Sequence, residues 1–208
     1  RDEDLRADRQ PEFTQVDLEM SFPRMETVFD LVEPLFQRVM ALVGVKVERP
    51  FPRLSYAEAL LRYGTDKPDL RFGMPITDVS DELAVLGLAN YPGLLEAGAR
   101  ARAIVLPAST GVSGTWLRKV GDLWQTRIVP DARGEKRGLL TLKATDEQAQ
   151  KLGEKGASPE VLRRLLEKTG AQKDDTVLVG VDQPGPVAMA MGILRLEMGR
   201  ELKLVDER

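Results

Sequence analysis

The 208-residue chain contains no cysteine and no histidine. Without cysteine, disulfides and thiolate metal sites are excluded. Without histidine, the commonest general base and the commonest neutral metal ligand are both missing. Ser-His-Asp and Cys-His catalysis therefore cannot be assembled from these residues. Any chemistry must rest on carboxylates, arginines, lysines or a bound cation. A global positive field is lacking too: 30 Lys and Arg stand against 33 Asp and Glu, for a net charge of −3. A nucleic acid would have to be met by a local arginine cluster or by residues outside this chain. No apolar run approaches the roughly 20 residues of a membrane span, and the amino terminus shows no signal-peptide pattern. The chain opens at Arg1, inside a dense charge cluster and without methionine, as expected of a piece of a longer protein.

With 42% hydrophobic and 30% charged residues, the composition is that of a soluble globular protein. The length suits one large domain or two small ones. The opening RDEDLRADRQPEF carries eight charges in its first twelve positions and reads as an exposed loop. Val16, Leu18, Met20 and Phe22 then alternate with Gln15, Asp17, Glu19 and Ser21, which predicts a half-buried strand. From Met25 to Val43 apolar residues recur at helical spacing, with Gly44 at the stop and Pro34 expected to kink or split the helix. Ser55 and Glu58 have capping-box spacing, and Gly64 sits where a C-terminal glycine belongs. A domain boundary is expected near Met74–Ile76.

Beyond it, short helices are predicted at 79–86 and 92–99, and a buried strand at Ala103–Leu106. A helix face is formed by Trp116, Leu117, Val120, Leu123 and Trp124. A strand follows at Leu139–Leu142. Ser158 caps and Pro159 opens a helix to about Thr169. The apolar strand Thr176–Val181 leads through a turn at Asp182–Gly185 to a final helix carrying Val187, Met191, Leu194 and Met198. Strands and helices alternate without a regular βαβ rhythm, so the fold class is α+β.

Three constellations bear on chemistry. Gly111–Gly114 lacks the Lys-Ser/Thr pair and the spacing of a P-loop and reads as a turn before a helix. Arg118-Lys119 and Arg163-Arg164 read as solvated helix faces. The cluster Arg1, Asp2, Glu3, Asp4, Arg6, Asp8, Arg9 and Gln10, with Phe13 and the strand bearing Gln15 and Asp17, has two readings. It suits an anionic, nitrogen-rich ligand, since arginine forks carboxylate or phosphate and Phe13 offers a stacking face. It equally suits a salt-bridged surface hairpin.

RDEDLRADRQPEFTQVDLEMSF closely resembles motif 2 of class II aminoacyl-tRNA synthetases, in the form found in bacterial-type aspartyl-tRNA synthetases. RYGTDKPDLRFGMPI resembles the stretch leading into an inserted domain of those enzymes. DDTVLVGVDQPGPVAMAMGILRLEMGREL is similar to the closing strand, turn and helix of that insertion, the GAD domain. The resemblance implies a partial catalytic domain at 1–75, taken from an antiparallel sheet flanked by helices. An α+β GAD insertion at 76–204 and a return to the catalytic domain at 205–208 complete it.

The same resemblance implies roles. Arg1 would span the amino acid carboxylate and the α-phosphate of ATP. Asp2, Glu3 and Gln10 would contact ATP, and Phe13 would stack on adenine. Gln15 and Asp17 would line the aspartate pocket, with Asp17 on the substrate ammonium. Asp4, Arg6 and Arg9 would touch the tRNA acceptor end. The implied reactants are aspartate, ATP with Mg²⁺, and tRNA(Asp) or also tRNA(Asn), in a cytoplasmic homodimer; no protein metal ligands are implied. Motif 1, motif 3 and the anticodon-binding barrel are missing, so the 208-residue chain is expected to be inactive alone. Two other readings stand beside it: a non-catalytic GAD module, also found in a tRNA-dependent amidotransferase subunit, and a synthetase relative that has lost tRNA charging.

Overall fold

A computed structural model describes residues 12–88, 91–127 and 138–204. The chain divides into two compact units, Arg1–Arg53 and Leu54–Arg208.

The first unit is built on α1 (Met25–Leu42). Pro34 lies inside α1, which nevertheless runs through it as a single helix. This corrects the expected break: one missing backbone donor does not outweigh the turns on either side. Glu33, buried beside that proline, accepts from the backbone N–H of Phe51 at 3.2 Å and pairs with Arg53 at 2.5 Å. The Arg53 guanidinium lies 3.9 Å from the centroid of Phe29. Gln37 Nε2 donates to the Val47 carbonyl at 2.9 Å. The connector after α1 is thus tied back to it by polar contacts.

The predicted strand at Val16–Phe22 is a second correction. Residues 13–22 join no ladder, and Val16, Leu18 and Phe22 are 73%, 49% and 101% exposed. Alternation marks a strand only where another strand accepts its hydrogen bonds, and no described residue does so here.

The second unit is organised by one sheet. Its strands are β1 (Thr77–Asp78), β2 (Arg100–Leu106), β3 (Leu140–Lys143) and β4 (Thr176–Asp182), in the order β1-β2-β4-β3, with every neighbouring pair antiparallel. All seven residues of β4 are buried, as an apolar run without a polar face requires. Val177, Val179 and Val181 point to one core and Leu178 to the other.

The first core lies under α3 (Ser80–Val85), α4 (Pro92–Glu96), α6 (Asp146–Gly153) and α7 (Pro159–Thr169), centred on Leu83, Leu142 and Leu165. The second lies under α5 (Gly114–Arg127) and α8 (Pro184–Glu201), centred on Ile104, Trp124, Met191 and Leu194. The helix α2 (Tyr56–Tyr63) packs on α8.

Capping follows sequence closely. Ser55 Oγ accepts from Glu58 N, and Ser158 Oγ from Val161 N. The turn expected at Asp182–Gly185 is shorter than that. β4 runs to Asp182, Gln183 alone connects, and Pro184 takes the first helical position, where its missing N–H costs nothing. The second compact unit begins at Leu54, and within it α2 packs on α8.

Candidate functional site

Of the residues that the sequence singles out, Arg1, Asp2, Glu3, Asp4, Arg6, Arg9 and Gln10 lie outside the described residues. Phe13, Gln15 and Asp17 are described. All three are exposed, Phe13 by 40%. Their spacing of two puts them on one side of the chain wherever it is extended. Asp17 stands in solvent rather than among aliphatic side chains.

A second polar centre, unforeseen in the sequence, organises residues 64–75. Arg195 of α8 is fully buried. Its Nε donates to the Met74 carbonyl at 3.1 Å, and its Nη2 is shared among the carbonyls of Asp69, Phe72 and Gly73 at 2.9–3.0 Å. The guanidinium carbon lies over two rings, 4.8 Å from the centroid of Tyr63 and 4.1 Å from that of Phe72. Burial pulls its pKa below the ordinary arginine value, while Tyr63 and Asp69 oppose that shift. One side chain thereby fixes four carbonyls of a turn-rich segment that has no regular structure of its own. On the outside of the same segment, Arg71 grips Asp69 through Nε and Nη2. That hydrogen bonding, against some desolvation, holds the Asp69 carboxyl down to about 2.

A third centre sits at the end of β2. Arg102 is 7% exposed, and its Nη1 lies 3.0 Å from Asp78 Oδ2, its cross-strand neighbour in β1. Burial disfavours the Asp78 carboxylate, but Ser80, Arg102 and Lys168 together outweigh it and hold the pKa below the ordinary value. Arg102 borders a cleft of about 830 Å³ between α2 and the first turns of α8, lined also by Leu60, Leu61, Asp66, Gly185 and Met189.

The family of class II tRNA synthetases (D, K and N) matches residues 1–175, most of the chain. The chain belongs to that family. This class II synthetase chain is 40% identical over 213 residues to the aspartate–tRNA(Asp/Asn) ligase of Gloeobacter violaceus, covering 99% of the chain and 35% of that protein. It is 42% identical to the ligase of the same name from Symbiobacterium thermophilum (98% of the chain, 34% of that protein). With that of Bacillus anthracis the identity is 41% (100% and 34%). The synthetase chain therefore spans about a third of the length of the curated relatives it matches.

Sequence reasoning missed Arg102 and Arg195 in this synthetase chain for one reason. Each occupies an apolar face, where a lone arginine reads as an interruption of the pattern. The signal for Arg195 was there: it falls four residues after Met191 on the apolar stripe of α8, and a buried arginine demands acceptors. Arg102, between Ala101 and Ala103 in a buried strand, makes the same demand.

Proposed function

We propose that this chain is the part of an aspartate–tRNA ligase that carries the motif 2 hairpin and the inserted GAD domain. The whole protein activates aspartate with ATP to aspartyl-adenylate and transfers the aspartyl group to tRNA. The observation that carries this reading is identity of 40 to 42%, sustained over 98% or more of the chain, to ligases named for aspartate. In this reading 1–75 belongs to the catalytic domain, 76–204 is the insertion and 205–208 returns to the catalytic domain.

The chemistry asked of the chain is binding and orientation rather than proton transfer. Arg1 neutralises the charge that builds as the aspartate carboxylate attacks the α-phosphorus. Asp2, Glu3 and Gln10 hold ATP, and Phe13 stacks on its base. Gln15 and Asp17 orient the amino acid, with Asp17 on its ammonium group. Asp4, Arg6 and Arg9 meet the acceptor end of tRNA(Asp), and of tRNA(Asn) if both are charged. The protein works as a cytoplasmic homodimer. Among the described residues no helix is long and apolar enough to cross a membrane. No group of three or more metal-ligating side chains converges among them either. Mg²⁺ would enter on the ATP phosphates, where one or two carboxylates suffice on the protein side.

The test is amino-acid-dependent ATP–pyrophosphate exchange by the full-length protein. Aspartate should drive it. Arg1→Ala should abolish it, Asp17→Ala should raise the aspartate KM, and the 208-residue chain alone should give none. Exchange driven by lysine or asparagine instead of aspartate would overturn the reading.

A second reading treats the GAD insertion at 76–204 as a structural or interaction module without catalysis, and the core on both faces of its sheet favours it. Deletion of the insertion from the full-length protein, with exchange retained, is the outcome it expects.

A further inference from the structure

The cleft between α2 and the first turns of α8 offers a ligand few polar groups. The Nε and Nη1 of Arg102 are closed off from solvent, and its charge is taken by Asp78, 3.0 Å away. Thr65 Oγ1 already accepts the Lys67 N–H at 3.2 Å. A small-molecule site needs several polar groups converging on the ligand, and the side chains facing this cleft are mostly apolar. Among the described residues of the second unit, six large apolar side chains are exposed: Tyr56, Leu61, Leu70, Val85, Met189 and Leu204. Three of the six, Tyr56, Leu61 and Met189, line this one cleft. The unit seals its apolar side chains on both faces of its sheet, so a cluster left open on one side marks a surface that something else covers. Its floor is firm, because Gly64 and Ala188 line it where the two helix backbones touch.

We propose that this cleft is the seat of the polypeptide that continues beyond Arg208, folded back along α8 so that its apolar side chains cover Tyr56, Leu61 and Met189. The chain spans about a third of the length of the relatives it matches, so the covering segment is at hand in the same molecule. The helix α8 is 18 residues long, roughly 27 Å at the helical rise. A returning helix of equal length, or about eight extended residues, spans that distance. Three exposed side chains are far less surface than the ~1,600 Å² that a stable association of separate molecules buries. A tethered segment needs no such area, because the linkage supplies a high effective concentration. The proposal rests on the reading of 205–208 as the return to the catalytic domain.

The test is thiol labelling of the full-length protein carrying Met189→Cys or Val85→Cys, read by mass spectrometry of the labelled peptide. The 208 residues hold no cysteine, so each introduced thiol is alone on its peptide. Met189 and Val85 are matched in exposure, 62% and 60%, and Val85, on α3, does not line the cleft. In the 208-residue chain the two variants should label at similar rates. In the full-length protein Met189→Cys should label at least tenfold more slowly than Val85→Cys. Leu61→Asp supplies a second measurement: Leu61 is half exposed, so the Tm of the 208-residue chain should hold while that of the full-length protein falls by several degrees. Equal labelling of the two positions in the full-length protein would overturn the proposal. Protection of Met189→Cys that is lost on dilution would overturn it too, by assigning the cleft to a second subunit, as would protection that requires added tRNA. Aspartate-dependent exchange is measured on the same samples. Exchange without protection removes the seat alone, and protection with exchange driven by another amino acid removes the ligase reading alone.

Discussion

A Cβ placed on Gly64 would fall 2.1 Å from the carbonyl oxygen of Ala188. The end of α2 therefore touches the backbone of α8 directly, and Gly192 makes the reciprocal approach to Tyr63 and Gly64. Neither helix can carry a side chain at this crossing. Gly64 also has φ +69, so it is required twice, once for its backbone conformation and once for the space it leaves.

Gly64→Ala accordingly meets immovable backbone as well as left-handed strain. The expected loss is on the order of 3 kcal/mol, at the upper end for overpacking plus an unfavourable φ. Urea unfolding of the variant against the parent, followed through the second unit, measures it. A change within about 0.5 kcal/mol, the range of an ordinary surface substitution, would contradict the close approach.

Gly180 makes a comparable demand on the sheet. Its missing Cβ would sit 2.4 Å from the Trp124 ring, which is fully buried against β4. Gly180→Ala should cost about 1–3 kcal/mol by displacing that ring. Because a buried indole reports its surroundings, the variant should show altered tryptophan fluorescence in the native state; an unchanged spectrum would count against this packing.

Arg195→Met should free the carbonyls of Asp69, Phe72, Gly73 and Met74 at once. The expected outcome is faster amide exchange across residues 65–75 and a stability loss of about 3–5 kcal/mol, the range for breaking a buried charged network. Arg195→Lys keeps the charge but not the planar fork that lies over the Tyr63 and Phe72 rings, so it should rescue only in part. Full rescue by lysine would show that charge alone holds the segment.

The Asp69–Arg71 pair gives a pH signature. The folded carboxyl titrates at about 2 against an ordinary value of 3.8. Its stabilising contribution is therefore complete above about 3.8 and is lost as pH falls through 2. Thermal unfolding of the parent should lose stability over that window, and Asp69→Asn should show a flatter profile there. The Arg71 side chain is 67% exposed, so the difference should shrink in high salt.

Much of the second unit was legible because its signals are local. Ser55, Ser158 and Gly64 mark helix ends by chemistry that needs no distant partner, and they stand where expected. The helix α6 went unread although Thr145 and Gln148 carry the same capping relationship, with the Thr145 hydroxyl accepting from Gln148 N. Its apolar face is reduced to Ala149 and Leu152, too little to register as a period. β1, two residues long, has no period at all and exists because β2 offers an edge.

The candidate site divides along the same line. Phe13, Gln15 and Asp17 could be picked out by motif, but the burial of their strand depends on ladder partners that no described residue supplies. Arg102 and Arg195 could not be picked out, because their meaning lies in acceptors and ring faces many residues away.

The order β1-β2-β4-β3 has a consequence for biosynthesis. β2 and β3 are both neighbours of β4 and not of each other, and β4 is the last of the four to be made. A nascent chain released at any length short of Asp182 holds two strands with nothing between them. The ribosome must therefore deliver more than a hundred residues beyond Thr77 before this sheet can zip up, and a stalled or prematurely cleaved product would expose sticky edges to its neighbours.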